Sequence, residues 1–580
     1  MTESLRMPRM GMARTHHVAN WRTGFALVSF GALFSLILSG YSAGEENNFY
    51  QLPILGGLYH EPQFSNDPFI QSLRFYASGF WQLLSGRMDG PEIYVLLFVF
   101  QLLSRMILFA GMLSWASLLG IESDRERLAF IALVALSSTL NGFSNAGVGG
   151  LLITSFTHSE VANGTTLLAL AWAARGRVTT AFAMNGVTFF LNAFVAVWTA
   201  VPLGLIILAQ WWQGRWTWRG LLVRALAGLA IFAILAEPVV RDVEADPYTK
   251  VAPGFDYVAF LESFFPYHFL IWSDPLREIG LLAVVFCCGM LAVQMLRAPD
   301  AFLAPALGGA AVVWVAGVVL PYITHARVLL DLHLLRSGST IHLLAAIAIA
   351  ALATRWCFSR NGSDRSVWAP SLIMLSCTFS IAMPLALLLL LSRRLWPATT
   401  ARWCNAAPWL AYAGPALLLM VALFNGARIY HAAKWSRTVA EWRGDWQALG
   451  SWARTHTPVQ SVFLVPAGTT RGTVLFAPND GVQNALAEGG SVFAYFSHRQ
   501  AWVFSPYGAA VMWAPAYYAT WRTRLTEVKA LKTLPERLRY AAGQGIGYVV
   551  DGCAQPDPHP ASAARFGRLC VFAVPRNAAG

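Results

Sequence analysis

The sequence predicts a mainly α protein: a polytopic bundle of about 12–13 transmembrane helices with a small C-terminal α/β soluble domain. Three observations carry this. Of 580 residues, 56% are hydrophobic and 12% charged, against roughly 25% charged in a soluble domain. The apolar residues come in blocks of about 20, the length that spans a bilayer as a helix. From about His431 onward the composition turns soluble. Disorder, a collagen-like chain and an ordinary cytosolic enzyme are excluded. The net charge of +12 comes from 42 basic and 30 acidic residues. Its arginines crowd short loops, where they fix orientation in a membrane, and no nucleic-acid motif accompanies them.

The N-terminal tail, residues 1–20, is expected in the cytoplasm, because Arg6, Arg9, Arg14 and Arg22 precede or open the first apolar run. That run, 21–41, has no small-residue cleavage site and reads as a retained span. The bundle covers 21–430, with large periplasmic loops at 43–92 and 240–277. Further spans are expected near 93–119, 128–143, 161–174, 179–193, 197–212, 221–239, 279–296, 302–322 and 338–355. Arginine-rich loops at 122–127, 175–177 and 214–219 alternate with arginine-poor ones.

The run 367–391 has basic flanks on both sides, Arg360 and Arg365 before it, Arg393 and Arg394 after it. Two short passes or a re-entrant hairpin broken at Pro384 put both flanks inside; this gives about 13 spans and a periplasmic C-terminus. One long span gives about 12 and a cytoplasmic C-terminus. The charge rule favours the first. A last span, 408–427, leads to the soluble domain, 431–580.

In that domain Trp442, Trp446, Leu449 and Ala453 recur at helical spacing. Strands are predicted at 462–465, 492–496, 502–504, 548–550 and 570–574, and a helix at 522–541. Cys287, Cys288, Cys357, Cys377 and Cys404 lie in or beside apolar runs and read as packing residues. Cys553 and Cys570 lie in the polar part; they form a disulfide if it faces an oxidising compartment and are two free thiols otherwise.

The first outside loop holds Glu45, Glu46 and Asp67, with Tyr50, Gln51, His60, Glu61 and Arg74 around them. A carboxylate at the mouth of a bundle can deprotonate an acceptor hydroxyl, or hold a divalent ion against a phosphate. Solvated loop acids are the plainer alternative, and Asp67, in Asn66-Asp67-Pro68, has the further one of capping a helix that starts at Pro68. The second loop carries Glu237, Asp242, Glu244, Asp246, Glu262 and Asp274. It also carries His268 in an aromatic stretch with Tyr267 and Trp272. It reads either as a pocket wall in which His268 touches phosphate, or as an interfacial aromatic belt.

A third outside stretch holds His325, Arg327, Asp331, His333, Arg336 and His342. The histidine spacings of 8 and 9 fit no compact metal site. Arg336 runs against the orientation bias, so it pairs either with a lipid phosphate or with Asp331. Arg105, Asn141, Asn145, Asn185 and Asn192 are costly in lipid and are expected to face the bundle interior. There is no Walker loop, dinucleotide fingerprint, HExxH or GxSxG.

The order of parts resembles the glycosyltransferase C superfamily, polytopic enzymes that use polyprenyl-phosphate-linked sugars, and more narrowly a group of bacterial membrane proteins near it. The residues behind the narrower likeness are YQLPIL and SNDPF in the first loop, FPYHF in the second and LHLLRS in the third, with SWARTHTPVQSVFLVP and FSHRQAWVF in the C-terminal domain. The resemblance implies a bacterial inner-membrane enzyme that passes a sugar from a polyprenyl-phosphate donor to a periplasmic glycan or lipid acceptor. It implies a catalytic carboxylate at Glu45 or Glu46 with Asp67 as a second acid, and substrate contacts from His60, Arg74, His268 and Arg336. A divalent metal ion is a further expectation. The chain departs from better-known members in having Glu45-Glu46 where they carry Asp-x-Asp or Asp-Glu, and Tyr267-His268 in place of a double histidine. A transporter or flippase for a lipid-linked glycan, and a non-catalytic envelope-assembly protein, are the competing expectations.

Overall fold

A computed structural model describes residues 21–45, 47–251, 254–396, 410–469, 481–553 and 562–575. Cys404 and the expected start of the last span lie outside the described residues. Among those described, eight helices are long and apolar enough to cross a membrane. They include Trp21–Ser39, Ile93–Leu118, Ala193–Trp212, Trp218–Glu244, Leu276–Leu296 and Leu303–Ile323. Gly338–Cys357 is buried on nearly every side and forms the centre of the bundle core.

Three expected spans are shorter helices: Asp124–Leu136, His158–Ala174 and Val178–Leu191. The first and the last of these end early for a local reason. Asn192 ends Val178–Leu191 and caps the next helix, its Oδ1 accepting from the N–H groups of Phe194 and Val195 at 3.1 and 3.3 Å. The run 128–143 is helical only to Leu136. It then becomes a buried hairpin closed by bridges between Asn141 and Leu152 and between Phe143 and Gly150. Non-helical backbone at this depth must satisfy its polar groups internally, and it does so across the hairpin, where Ser144 and Gly149 exchange bonds of 2.7 and 2.8 Å.

The run 367–391 folds as two short helices, Ala369–Cys377 and Met383–Leu395. Pro384 lies in the first turn of the second helix, where a missing N–H costs nothing; the break itself falls at Thr378. Arg393 pairs with Asp364 at 2.7 Å, so the end of the second helix returns to the start of the first.

Leu410–His456 is one helix of 47 residues, roughly 70 Å long at 1.5 Å per residue. The expected boundary at residue 431 therefore falls inside a rigid element that carries the soluble domain on its far end. Trp446, Leu449 and Ala453 bury their side chains in that domain as the helical spacing predicts. The sheet has the order β2-β1-β3-β5-β4. Its strands are β1 Val462–Leu464, β2 Gln500–Ala501, β3 Tyr548–Gly552, β4 Ala564–Phe566 and β5 Leu569–Ala573. β1 runs parallel to β2 and β3; β5 runs antiparallel to β3 and β4.

The segment 492–496, expected as a strand, is helical. Phe493 and Tyr495 point to different neighbours there, Phe493 to Phe463 and Trp446, Tyr495 to the Gly90 backbone, so all-round burial overrides β propensity. The expected helix 522–541 is two, Tyr518–Ala530 and Leu534–Gly543, divided by a Thr533–Glu536 capping box. Cys553 and Cys570 form a disulfide, their Cα atoms 5.0 Å apart.

One aromatic core joins the outside loops to the soluble domain. Phe69 of the first loop stacks on Tyr507 at 3.8 Å, and Phe264 of the second meets the edge of Trp521 at 4.7 Å. The loops and the α/β domain are therefore a single packed cap on one end of the bundle.

Candidate functional site

A cavity of about 1380 Å³ lies between the cap and the bundle. Its floor is the buried hairpin, through Gly142, Phe143, Val148, Leu152 and Ile153. One wall is apolar, from Phe189, Phe194, Val197, Val239, Val240 and Val243. That wall includes the helix Trp218–Glu244, whose outer face is largely exposed. The roof belongs to the α/β domain.

Arg336 lies on this cavity. It sits in the short turn Leu334–Ser337, between His333 in the left-handed region (φ 50°) and the core helix Gly338–Cys357. His158, His268 and His333 also line the cavity, and the Arg336 charge acts on all three and on Tyr50 and Tyr76. His333 is fixed by stacking on Phe194 at 4.7 Å and by the edge of Phe269 at 4.7 Å. His158 packs edge-on against Tyr76 and Trp81. Nδ1 of His158, Nδ1 of His268 and Nε2 of His333 are buried without a hydrogen-bond partner, a state that needs a reason in a native fold.

Burial, and then the neighbouring Arg336 cation, push His268 down to about 3, while its bond to the Gly147 backbone acts the other way. His268 is neutral at ordinary pH. Asp274, which accepts from the Gly147 N–H at 3.0 Å, is pushed up to about 6 by burial, with Glu278 adding to the rise. The Tyr76 hydroxyl donates to Tyr50 at 3.1 Å, and burial pushes it up to about 12, so it stays protonated. Arg327 also lines the cavity but is paired with Asp331; Arg336, beside neutral imidazoles and phenols, suits an anion that arrives with the substrate.

Glu45 lines the same cavity, half-buried, with Ser42 Oγ donating to its Oε2 at 2.5 Å. It stands at the seam between bundle and cap. Its neighbour Gly44 (φ 85°) lies so close to Val492 and Arg443 that a Cβ there meets Val492 Cγ1 at 2.7 Å. Glu46 lies outside the described residues.

The other expected residues lie elsewhere. Asp67 does not line the cavity; it caps the short helix Pro68–Ser72, with Ile70 N–H donating to Oδ1 at 3.1 Å. His60 and Arg74 are both exposed around the Tyr59 ring, Arg74 at 5.7 Å and His60 at 4.5 Å, and neither reaches the cavity. Asp331, the alternative partner for Arg336, is taken by Arg327 at 3.1 Å and by the Tyr257 hydroxyl. His342 is structural, bonded to the Thr139 carbonyl at 2.8 Å and the Asn145 N–H at 3.2 Å. His325 lies outside near Asp256.

Arg105 faces the interior as expected, and its partner is Glu160, Nε to Oε1 at 2.6 Å, with both side chains fully buried. Its Nη2 also holds the Ile153 carbonyl of the cavity floor at 2.6 Å. The sequence reasoning missed Glu160 and His158. Their signal is the polar Thr157-His158-Ser159-Glu160 at the outer end of an otherwise apolar run. No group of three or more His, Cys, Asp or Glu placed to hold a metal ion occurs among the described residues. Neither a protein-family model nor a curated protein matches the chain in sequence.

Proposed function

We propose that this protein is a membrane glycosyltransferase that takes a sugar from a polyprenyl-phosphate donor and passes it to an acceptor entering from the side of the cap. The observation that carries this reading is that Glu45, His268 and Arg336, from three separate outside segments, line one cavity. The apolar wall suits the prenyl end of the donor, and Arg336 with His158, His268 and Tyr76 suits its phosphate. Glu45 takes the proton of the acceptor hydroxyl. The freed oxygen attacks the anomeric carbon, the bond from that carbon to the phosphate oxygen breaks, and the phosphate leaves with the electron pair. Arg336 and the neutral imidazole and phenol donors stabilise the charge that develops there.

Orientation follows from charge. Arg175 bonds to Ser114 and Ser117, Arg355 to Leu296, and Arg215 to Asp300, which gathers the arginine-rich loops at the end of the bundle away from the cap. The positive-inside rule assigns that end to the cytoplasm of a bacterial inner membrane, and the disulfide in the cap suits the oxidising side.

The test is turnover of a polyprenyl-phosphate sugar by purified protein. Glu45→Gln is expected to lose about 10²–10⁴-fold in rate. Arg336→Gln is expected to lose both donor affinity and rate. Full turnover by Glu45→Gln removes Glu45 as the base; absence of turnover by the unaltered protein sinks the glycosyl-transfer reading and leaves a transporter or assembly role for the cavity.

A further inference from the structure

The cavity is chemically divided, and the division identifies a second subsite. The bundle side supplies Arg327, Arg336 and three histidines. The α/β side supplies Thr469, Asn484, Glu488, Ser491 and the exposed face of Trp435, with no Lys, Arg or His among its described lining residues. Among the described residues this surface offers amide and hydroxyl donors and acceptors and no cation for a phosphate or carboxylate.

The topology of the sheet gives an independent reason to expect a ligand here. In open α/β sheets, ligands bind outside the carboxyl ends of the parallel strands, where successive connections leave in opposite directions. In the order β2-β1-β3, the chain passes from β1 to one neighbour and then crosses to the other, so the switch lies between β1 and β3. The residues that follow β1, Gly468 and Thr469, and those that follow β2, Phe504 and Pro506, open into the cavity. The ligand-binding edge of the domain is thus aimed at the cavity. Trp435, 46% exposed, rises beside it from the long helix Leu410–His456, with its ring braced edge-on by Trp442 at 5.7 Å.

We infer that this half of the cavity binds a neutral carbohydrate, stacked on Trp435 and hydrogen-bonded by Asn484, Glu488 and Ser491, as the acceptor. The inference rests on the glycosyl-transfer reading for the word acceptor, but the binding site stands on its own residues. A few convergent polar groups against an aromatic face fix the orientation of such a ligand. Glu45 lines the same cavity as both groups of residues.

The test is saturation-transfer NMR on the purified full chain in a detergent without a sugar head group. The probes are a hexose, an N-acetylhexosamine, their disaccharides and a short neutral peptide. Saccharide signals are expected, weakened at least about tenfold in affinity by Trp435→Ala and by Asn484→Ala, largely kept by Trp435→Phe, and unchanged by Arg336→Gln. Thermal unfolding of each variant shows that it is folded. Absence of saccharide transfer, transfer to the peptide alone, or undiminished binding by Trp435→Ala and Asn484→Ala overturns the inference. Saccharide binding at this site without donor turnover by the unaltered protein keeps the subsite and removes the glycosyl-transfer reading instead.

Discussion

Asp67 and Arg105 show how one side chain's surroundings decide its role. Asp67 has the sequence context of both a catalytic acid and a helix cap. Burial pushes it up to about 6, against the Ile70 N–H bond and the Arg524 charge, which pull it down. A carboxylate raised above its unfolded value favours folding below that unfolded value, near 3.8, and this contribution is lost as pH rises through about 6. Asp67→Asn keeps a side-chain oxygen for the cap and removes the buried charge. It is therefore expected to raise thermal stability at pH 7 to 8, with the gain disappearing below about pH 4, while donor turnover stays unchanged. Asp67→Ala is expected to lose about 1 kcal/mol at every pH from the missing cap. Thermal unfolding in detergent across pH 4 to 8 measures both. Arg105 is the converse case: a charge that is costly in lipid is accommodated because Glu160 and the Ile153 carbonyl receive it, so it braces the cavity floor and touches no substrate.

At the scale of elements, the least legible piece is the hairpin after Leu136. Long apolar runs were read well from the sequence because length and composition alone set them, and the paired helices at 369–395 followed from basic flanks on both sides. The segment 137–157 is rich in Gly, Ser, Thr and Asn, and Asn141-Gly142 and Gly149-Gly150 are turn signals, yet the expected span runs across its start as far as residue 143. Four left-handed residues shape the hairpin: Gly142, Ala146, Gly147 and Val148. Two of the four are not glycine, so the sequence marks a turn here without giving its path. The same holds at the site. His268 and Arg336 stand out as polar residues in largely apolar stretches, and Glu45 as an acid just past the first span. His158 and the hairpin become visible only when distant segments meet. The hairpin tip presses on the turn that carries Arg336; a Cβ at Gly147 (φ 89°) meets the Leu335 carbonyl at 2.5 Å, and one at Gly149 meets the Arg336 carbonyl at 2.5 Å. Gly147 also binds Asp274 through its N–H and His268 through its carbonyl side. Gly147→Ala is expected to cost about 1–3 kcal/mol of stability. Because it displaces Arg336 and His268 together, it is expected to raise KM for the donor more than it lowers kcat. A loss in kcat alone shows that the hairpin does not position the phosphate subsite.

At the scale of the whole molecule, the α/β domain must be held against the outside loops for the cavity to exclude water. Beyond the aromatic core, a polar clasp does this at the rim. His498 Nδ1 meets Glu61 Oε1 at 2.6 Å and its Nε2 lies 3.3 Å from Asp89, while Arg454 grips Asp89 with bonds of 2.7 and 2.8 Å. Gln63 and Gln500 tie the same strip, and Tyr495 bonds to the Gly90 backbone. Glu61 and Asp89 belong to the first outside loop; Arg454, at the end of the long helix, and His498, in the α/β domain, come some 400 positions later. The Arg454 guanidinium holds Asp89 below the usual carboxylate range. Its share of the clasp is therefore present above the unfolded carboxylate value and is lost as pH falls through the lowered one. The exposed Asp89–Arg454 pair contributes little alone; the buried His498 is the bond that matters. His498→Ala is expected to cost about 1.5–3 kcal/mol. Hydrogen exchange is expected to quicken in β1 and β2 and in residues 58–64, and to stay as it was in the core helix Gly338–Cys357. If the cap also guards the reaction, the same variant releases free sugar from the donor at the expense of transfer, because water reaches the anomeric carbon. Faster exchange with an unchanged ratio of hydrolysis to transfer limits the clasp to stability, and leaves water exclusion to the aromatic contacts of Phe69 with Tyr507 and Phe264 with Trp521.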